Sequence, residues 1–244
     1  MKLSGDFHTH TVYSHGTGSV EENVRQAYNL ELDAIAITEH SYKSHYGIGV
    51  GDLQKIKADI DACKSKYNIK VLWGVEANLL SASGDIDISD EELKDLDLVI
   101  LSFHKFSKVK VKDFFTFVLP NLINKKPTKK QIERNTNAYI NAMDKHRVSI
   151  LAHLGYAGCA VDYVRLAKES SKRGIYIELN GKRINFKKED LKKMVETGVK
   201  FIINSDAHSP LAVGKNHRAF NLIEKYNIPL EQIANIDGKC PEFK

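Results

Sequence analysis

The feature that most restricts this chain is an alternation that runs its length: a short apolar run that reads as a strand, then a segment with helical periodicity. The strand-like runs are 3–8 (LSGDFH), 33–38 (DAIAIT), 70–76 (KVLWGVE), 98–103 (LVILSF), 148–153 (VSILAH), 175–179 (IYIEL) and 200–205 (KFIINS). Helices are expected over 19–31, 51–67, 128–146, 160–173, 187–197 and 214–226. Ser19 with Glu22 and Thr128 with Gln131 stand at capping-box spacing. Leu53, Ile56, Ile60, Cys63 and Tyr67 share one face of their helix. Seven strand–helix units without a linker close most simply as one parallel α/β barrel, made irregular by having seven strands rather than eight. At 244 residues and 42% hydrophobic, the chain can fill such a barrel as a single domain over 1–244. The stretch 105–127 fits least well, being long for a connection; its apolar patch, Phe114, Phe115, Phe117, Val118 and Leu119, runs up to Pro120. Such a patch is costly in water and is expected to pack as a lid or subunit contact.

The residues able to hold a metal fall at the C-terminal ends of those strands, where barrel sites are built. Strand one ends in Asp6-Phe7-His8-Thr9-His10, with His15 in the loop beyond. Strand two ends at Glu39-His40, strand three at Glu76, strand four at His104, and strand five at His153. Strand six carries Glu178 and Asn180, and strand seven runs into Asp206-Ala207-His208. Residues two apart on an extended chain point the same way, so His8 and His10 can grip one cation, and Asp206 and His208 repeat the device. Glu76, with two oxygens, can bridge two cations. A single HxH is weak evidence, and an isolated histidine usually has an ordinary polar role, the reading given to His45, His146 and His217. Seven histidines and two acids at one barrel end are a stronger signal. Imidazole and carboxylate without thiolate suit zinc, manganese or iron.

Composition removes other classes. Cys63, Cys159 and Cys240 form no CxxC pair, which fits a reducing compartment and excludes a thiolate site. Cys63 lies on a helix's apolar stripe and reads as core. No apolar run approaches the roughly 18 residues of a membrane span, and the first residues lack a signal-peptide pattern. The expected location is cytoplasmic. The net charge of +5 is uneven, with eight lysines and one acid, Asp113, between Lys105 and Lys130. A lysine-rich, solvated surface is the plainest reading of that stretch; nucleic acid, an anionic substrate or another subunit are the alternatives. The segment YGIGVGD at 46–52 does not fit GxGxxG and reads as a flexible loop after a metal motif.

The ordered motifs DFHTH, TEH, GVEAN, SFH, AHLG and SDAH resemble the PHP (polymerase and histidinol phosphatase) family from Asp6 to about Gly214. GVEAN followed by GDID at 84–87 is most similar to its YcdX-like phosphatase branch. The resemblance implies a distorted seven-stranded (β/α)7 TIM-like barrel with a trinuclear site. By motif it implies one metal on His8, His10, Glu76 and Asp206, a second on Glu76, His104 and His153, and a third on His15, His40 and His208. It departs from the family pattern at Glu39, where aspartate is usual, and at Leu154, where proline commonly follows the histidine.

The expected chemistry is hydrolysis of small phosphomonoesters with two to three divalent ions. Metals about 4 Å apart acidify a shared water and clamp attacking and leaving oxygens, so a metal-held hydroxide is the expected nucleophile. Glu76, Asp206 and His208 are its catalytic anchors. Lys182 and Arg183, after strand six, are candidate phosphate contacts, Arg183 in bidentate fashion; two ordinary surface cations are an equal reading. The rival enzyme readings are a PHP-type nuclease or phosphodiesterase and a histidinol-phosphate phosphatase. A non-catalytic metal-binding module is the rival outside enzymes, and retention of all nine candidate ligands argues against it.

Overall fold

The computed structural model describes residues 1–49, 51–105, 107–123 and 126–243. Seven strands form one parallel sheet in sequence order: β1 (Gly5–Asp6), β2 (Ala34–His40), β3 (Lys70–Asn78), β4 (Leu98–Ser102), β5 (Ile150–Leu151), β6 (Tyr176–Asn180) and β7 (Phe201–Asn204). Beyond β1, Thr9 bridges Ala207 in parallel, with His10 N donating to the Ala207 carbonyl at 2.8 Å. That contact closes the sheet into a distorted (β/α)7 TIM-like barrel, as the alternation and the family resemblance implied.

Helices α1 (Val20–Asn29), α2 (Asp52–Lys66), α3 (Asp90–Leu93), α4 (Val111–Asp113), α5 (Leu119–Ile123), α6 (Lys129–Lys145), α7 (Tyr163–Arg173), α8 (Lys188–Glu196) and α9 (His217–Tyr226) lie between or after the strands. The Ser19–Glu22 capping box forms at α1, and Thr128 caps α6 by accepting from Gln131 N at 3.2 Å. Cys63 is buried against the sheet, as its place on the stripe required. Cys159, in the loop after His153, is also fully buried, and burial pushes its thiol up to about 12. No helix among the described residues is long and apolar enough to cross a membrane.

Alternation along the strands explains how one barrel has both an oily floor and a polar mouth. On β2, Ala34 and Ala36 face the same way as His40; on β3, Leu72 matches Glu76; on β4, Leu98 and Ile100 match His104. The apolar members form a small interior cluster with Phe7, Ile150 and Ile202, closed below by an edge contact from Phe7 to Phe243 at 5.1 Å. The opposite residues, Ile35, Ile37, Val75, Val99 and Leu101, build the larger cluster under the helices.

The strand boundaries at β1 and β5 are tighter than expected, two residues each against six in the sequence reading. The 105–127 stretch departs further. Its apolar patch does not act as one surface: Phe117 and Val118 are buried in the main core, whereas Phe115 is 60% exposed. Pro120 does not end the helix either. A π turn over Phe114–Val118 joins α4 to α5, and Leu119 N donates to the Phe114 carbonyl. Pro120 has no N–H for the Thr116 carbonyl, which accepts instead from Arg134 Nη1 at 2.5 Å.

Candidate metal centre

Every sequence-expected ligand comes to the C-terminal mouth of the barrel. Glu76 lies at the centre, fully buried at the end of β3, and its two oxygens face different histidines. Oε2 is 3.4 Å from His8 Nε2, 3.5 Å from His10 Nε2 and 2.7 Å from His40 Nδ1. Oε1 is 2.8 Å from His153 Nε2 and 3.5 Å from His104 Nε2. Asp206 Oδ1 stands 3.6 Å from His10 Nε2 and 3.9 Å from His8 Nε2. On the outer side, the His15 ring lies 4.1 Å from that of His208 and 4.8 Å from that of His40, centre to centre.

Three sets of donor atoms lie within 4.8 Å of one another: His8, His10 and Glu76; His40, Glu76 and His104; and His10, His40 and His208. These overlap the ligand sets implied by family resemblance without repeating them. His10, His40 and Glu76 are each shared between two sets, and His15, His153 and Asp206 stand beside the sets rather than inside them.

Burial and partnering are what a cation site requires. His8 Nε2, both ring nitrogens of His10, His40 Nδ1 and Glu76 Oε2 are buried without a hydrogen-bond partner. Buried polar atoms are rarely left so, and a convergent set of them is one that a cation would satisfy. These residues therefore fit divalent metal. Burial, then the nearby His40 and His208, hold His10 well below its ordinary value. Burial, helped by His208 and His40, brings His15 down to about 4, and burial takes His104 to about 3. A neutral imidazole keeps the lone pair that a metal needs. Burial also opposes ionisation of Glu76, yet His104, His40 and His8 outweigh it and hold the carboxyl well below the usual range.

A second layer aims these donors. Glu178 Oε1 accepts from His8 Nδ1 at 2.7 Å, and its Oε2 accepts from His153 N at 2.9 Å. Asn78 Oδ1 meets His104 Nδ1 at 2.6 Å, and Asp87 holds Asn78 through Nδ2 at 2.6 Å and N at 2.7 Å. Glu39 accepts from Thr11 N at 2.8 Å and from the Ser14 hydroxyl, tying down the loop that carries His15. Such outer partners fix imidazole tautomer and orientation. The sequence reading named Glu178 and the GVEAN–GDID pair but gave neither Glu178, Asn78 nor Asp87 this task. Two ligand positions have unusual backbone: His153 at φ 29° and Asp206 at φ 54°. Left-handed backbone at non-glycine residues tends to collect at functional sites.

Above the donors opens a cavity of about 400 Å³, rimmed by Ser44, His45, Tyr46, Lys105, Tyr156, Lys182 and Arg183. Lys182 Nζ lies 3.6 Å from Asp206 Oδ1 and 2.7 Å from His208 Nδ1. The Arg183 guanidinium lies over the Tyr156 ring, 4.3 Å from its centre. His45, read from sequence as ordinary, is exposed at this rim. His146 pairs with Asp90 at 2.9 Å, and exposed His217 starts α9, so the ordinary reading suits both. The 46–52 loop contributes Tyr46, packed 4.9 Å from His15, and buried Ile48; its Val50 lies outside the described residues.

The PHP domain model matches residues 6–227. The chain belongs to the PHP family. It is 30% identical, over its whole length and 95% of the relative's, to a probable phosphatase of Thermoanaerobacter sp. strain X514. A probable phosphatase of Caldanaerobacter subterraneus is also 30% identical over 96% of this chain and 88% of its own. Among solved structures, the histidinol phosphate phosphatase of Lactococcus lactis, complexed with zinc, L-histidinol and phosphate, aligns with a TM-score of 0.62 at 18% identity. It covers 93% of this chain and 94% of its own. The Listeria monocytogenes putative histidinol phosphatase gives 0.60 at 18%, over 88% of this PHP chain and 99% of that one. At such identity these two speak for the barrel alone. This PHP protein is a metal-dependent phosphoesterase, a hydrolase.

Proposed function

We propose that this PHP enzyme hydrolyses small phosphomonoesters at a site holding two to three divalent ions, as one domain over 1–244 with residues 105–130 inserted beside the mouth. The observation that carries the reading is the convergence of buried nitrogen and oxygen atoms on Glu76, close to one another yet without a hydrogen bond, directly beneath a cavity of about 400 Å³. That volume suits a small ester. His8, His10, His15, His40, Glu76, His104, His153, Asp206 and His208 would hold the ions, and their nitrogen and oxygen donors suit zinc, manganese or iron. Bound there, such ions supply Lewis acidity, which acidifies water and offsets charge on the phosphoryl oxygens.

The rest of the chemistry belongs to the chain. Glu76 presents one oxygen to the His8, His10 and His40 side and the other to the His104 and His153 side, so one carboxylate can serve two ions. Glu178 and Asn78 keep imidazole Nε2 atoms turned inward. Asp206 and His208 anchor the reacting end, with Lys182 beside both. Lys182 binds and orients the phosphoryl group beside Asp206 and His208, and Arg183, further out on the rim, can offer two parallel N–H groups to an anionic oxygen of the substrate. The closed floor under Phe7 keeps bulk water to one side of the site.

The test is elemental analysis together with a panel of phosphomonoesters and a single-stranded oligonucleotide. Two to three transition metals per chain and metal-dependent release of phosphate are expected, with weak oligonucleotide cleavage. Fewer than one metal, with no activity gained on adding zinc or manganese, removes the site assignment. Efficient degradation of the oligonucleotide with every monoester left intact replaces the phosphatase reading with the nuclease one.

A further inference from the structure

The rim of the cavity carries information about the half of the substrate that leaves. Three cations reach it from two different loops: Lys105 after β4, and Lys182 with Arg183 after β6. Against them stands a single lining carboxylate among the described residues, Asp206, and it is committed to the donor cluster at 3.6 Å from His10. The lining aromatic faces are engaged as well. Tyr156 lies under the Arg183 guanidinium at 4.3 Å, and Tyr46 packs against His15 at 4.9 Å and His45 at 4.8 Å. Among the described lining residues an ammonium group on a leaving alcohol would thus meet no carboxylate outside the donor cluster, and it would face like charge.

A monophosphate uses only part of this rim. Lys182 lies against the donor cluster and is placed for the phosphoryl group being transferred. Lys105 is exposed on the other loop, and the exposed Arg183 guanidinium lies over Tyr156, where its N–H groups can meet a planar or tetrahedral anion. Resting on the phosphatase reading above, we propose that the enzyme selects phosphomonoesters whose leaving group bears a second anionic group, a carboxylate or another phosphate, received by Lys105 and Arg183. A cationic amino-alcohol phosphate such as L-histidinol phosphate is correspondingly a poor substrate.

The experiment measures kcat/KM for metal-loaded enzyme on small esters differing mainly in the charge of the leaving group. The probes are 3-phosphoglycerate and fructose 1,6-bisphosphate (anionic, one by carboxylate and one by phosphate), glycerol 3-phosphate (neutral), and L-histidinol phosphate (cationic). The anionic pair should exceed the neutral ester by about tenfold, the order set by one partly solvated charge pair, and the margin should shrink with added salt. The cationic ester should be slowest. Which anionic ester leads tells carboxylate from phosphate recognition. Lys105→Glu and Arg183→Glu should each cut the anionic-to-neutral ratio by about tenfold or more and favour the cationic ester. Scoring a ratio within each variant separates specificity from any loss of folding. If the neutral or cationic ester is turned over as well as the anionic ones, this inference is overturned while the phosphatase reading stands. If every ester is inert, both fall together.

Discussion

Glu76 combines properties that rarely occur together: full burial, a carboxyl held well below its usual range, and one oxygen with no hydrogen-bond partner. Burial alone would raise its pKa, so the imidazoles of His104, His40 and His8, with the His153 hydrogen bond, offset a large desolvation penalty. A glutamine there keeps the shape but loses the charge that two ions would share. Glu76→Gln should therefore lower activity by more than the roughly 10–100-fold typical for loss of an outer partner, and reduce metal content at more than one position. Glu178→Gln, which weakens the aim of His8 and His153 and disturbs the bonds that Glu178 accepts from Asn180 and Asn204, should stay within that roughly 10–100-fold range. Exposed His217 is the control, and His217→Ala should leave both readouts unchanged. Metal titration followed by steady-state assay checks all three, and equal losses at Glu76 and His217 would count against the map. The candidate ligands other than His15 were legible from strand-end position, and the family resemblance added His15 from its loop. The aiming residues were not, because Glu178 and Asn78 act through imidazoles contributed by other strands, and only the closed barrel brings those strands together.

At the scale of elements, β2, β3 and β4 were readable because they are long and packed on both faces, so β-branched and apolar residues mark them throughout. The helix spanning Val111–Ile123 was not. Within it, five apolar residues between Phe114 and Leu119 are followed by a proline, which reads as a patch with a stop. The tertiary answer is a π turn that rotates Phe117 and Val118 inward, with Arg134 taking the carbonyl that Pro120 cannot serve. Phe117 packs edge-on to Phe103 at 5.7 Å, directly preceding His104 in the chain, and Arg134 lies over its other side at 5.7 Å. Phe117→Ala should thus cost about 3–5 kcal/mol, the range for a buried aromatic lost from a core. Phe115→Ala, at 60% exposure, should change stability by less than about 0.5 kcal/mol. Urea unfolding of the two variants decides the matter; similar losses would show that the two rings share one environment.

For the whole molecule the central question is how seven strands close where eight are usual. Backbone pairing across the seam is sparse: β1 has two residues in the ladder, and the link to the β7 side is the Thr9–Ala207 bridge. Much of the remaining work falls to one side chain. Asn235, fully buried, donates to the Gly5 carbonyl at 2.7 Å and the Ile203 carbonyl at 2.6 Å, and accepts from Ile203 N at 2.9 Å. Its own carbonyl accepts from Ser4 N at 2.9 Å. An asparagine thereby stands in for a strand, offering one acceptor and two donors to backbone that would otherwise be buried and unpaired. No periodicity in residues 233–238 announces this, which is why the sequence reading ended its elements at α9. Asp6 reinforces the same seam, accepting from Ser205 N at 3.0 Å and Gly214 N at 2.9 Å. Across the seam stand His8 and His10 on one side and Asp206 and His208 on the other, so closure of the barrel is expected to bring the candidate ligands together. Asn235→Ala leaves three backbone groups without a partner, and at about 1–3 kcal/mol for each buried group it should lower stability by roughly 3 kcal/mol or more. Because the ions would bind donors on both sides, excess metal should recover part of the loss by mass action, about 2.7 kcal/mol at a concentration one hundred times the dissociation constant. Thermal melts of wild type and variant, with chelator and with saturating zinc or manganese, measure both terms. A variant as stable as wild type in chelator would mean that the bridge at Thr9 and Ala207 suffices to close the barrel. A variant whose deficit is untouched by metal would mean that the seam and the site are independent.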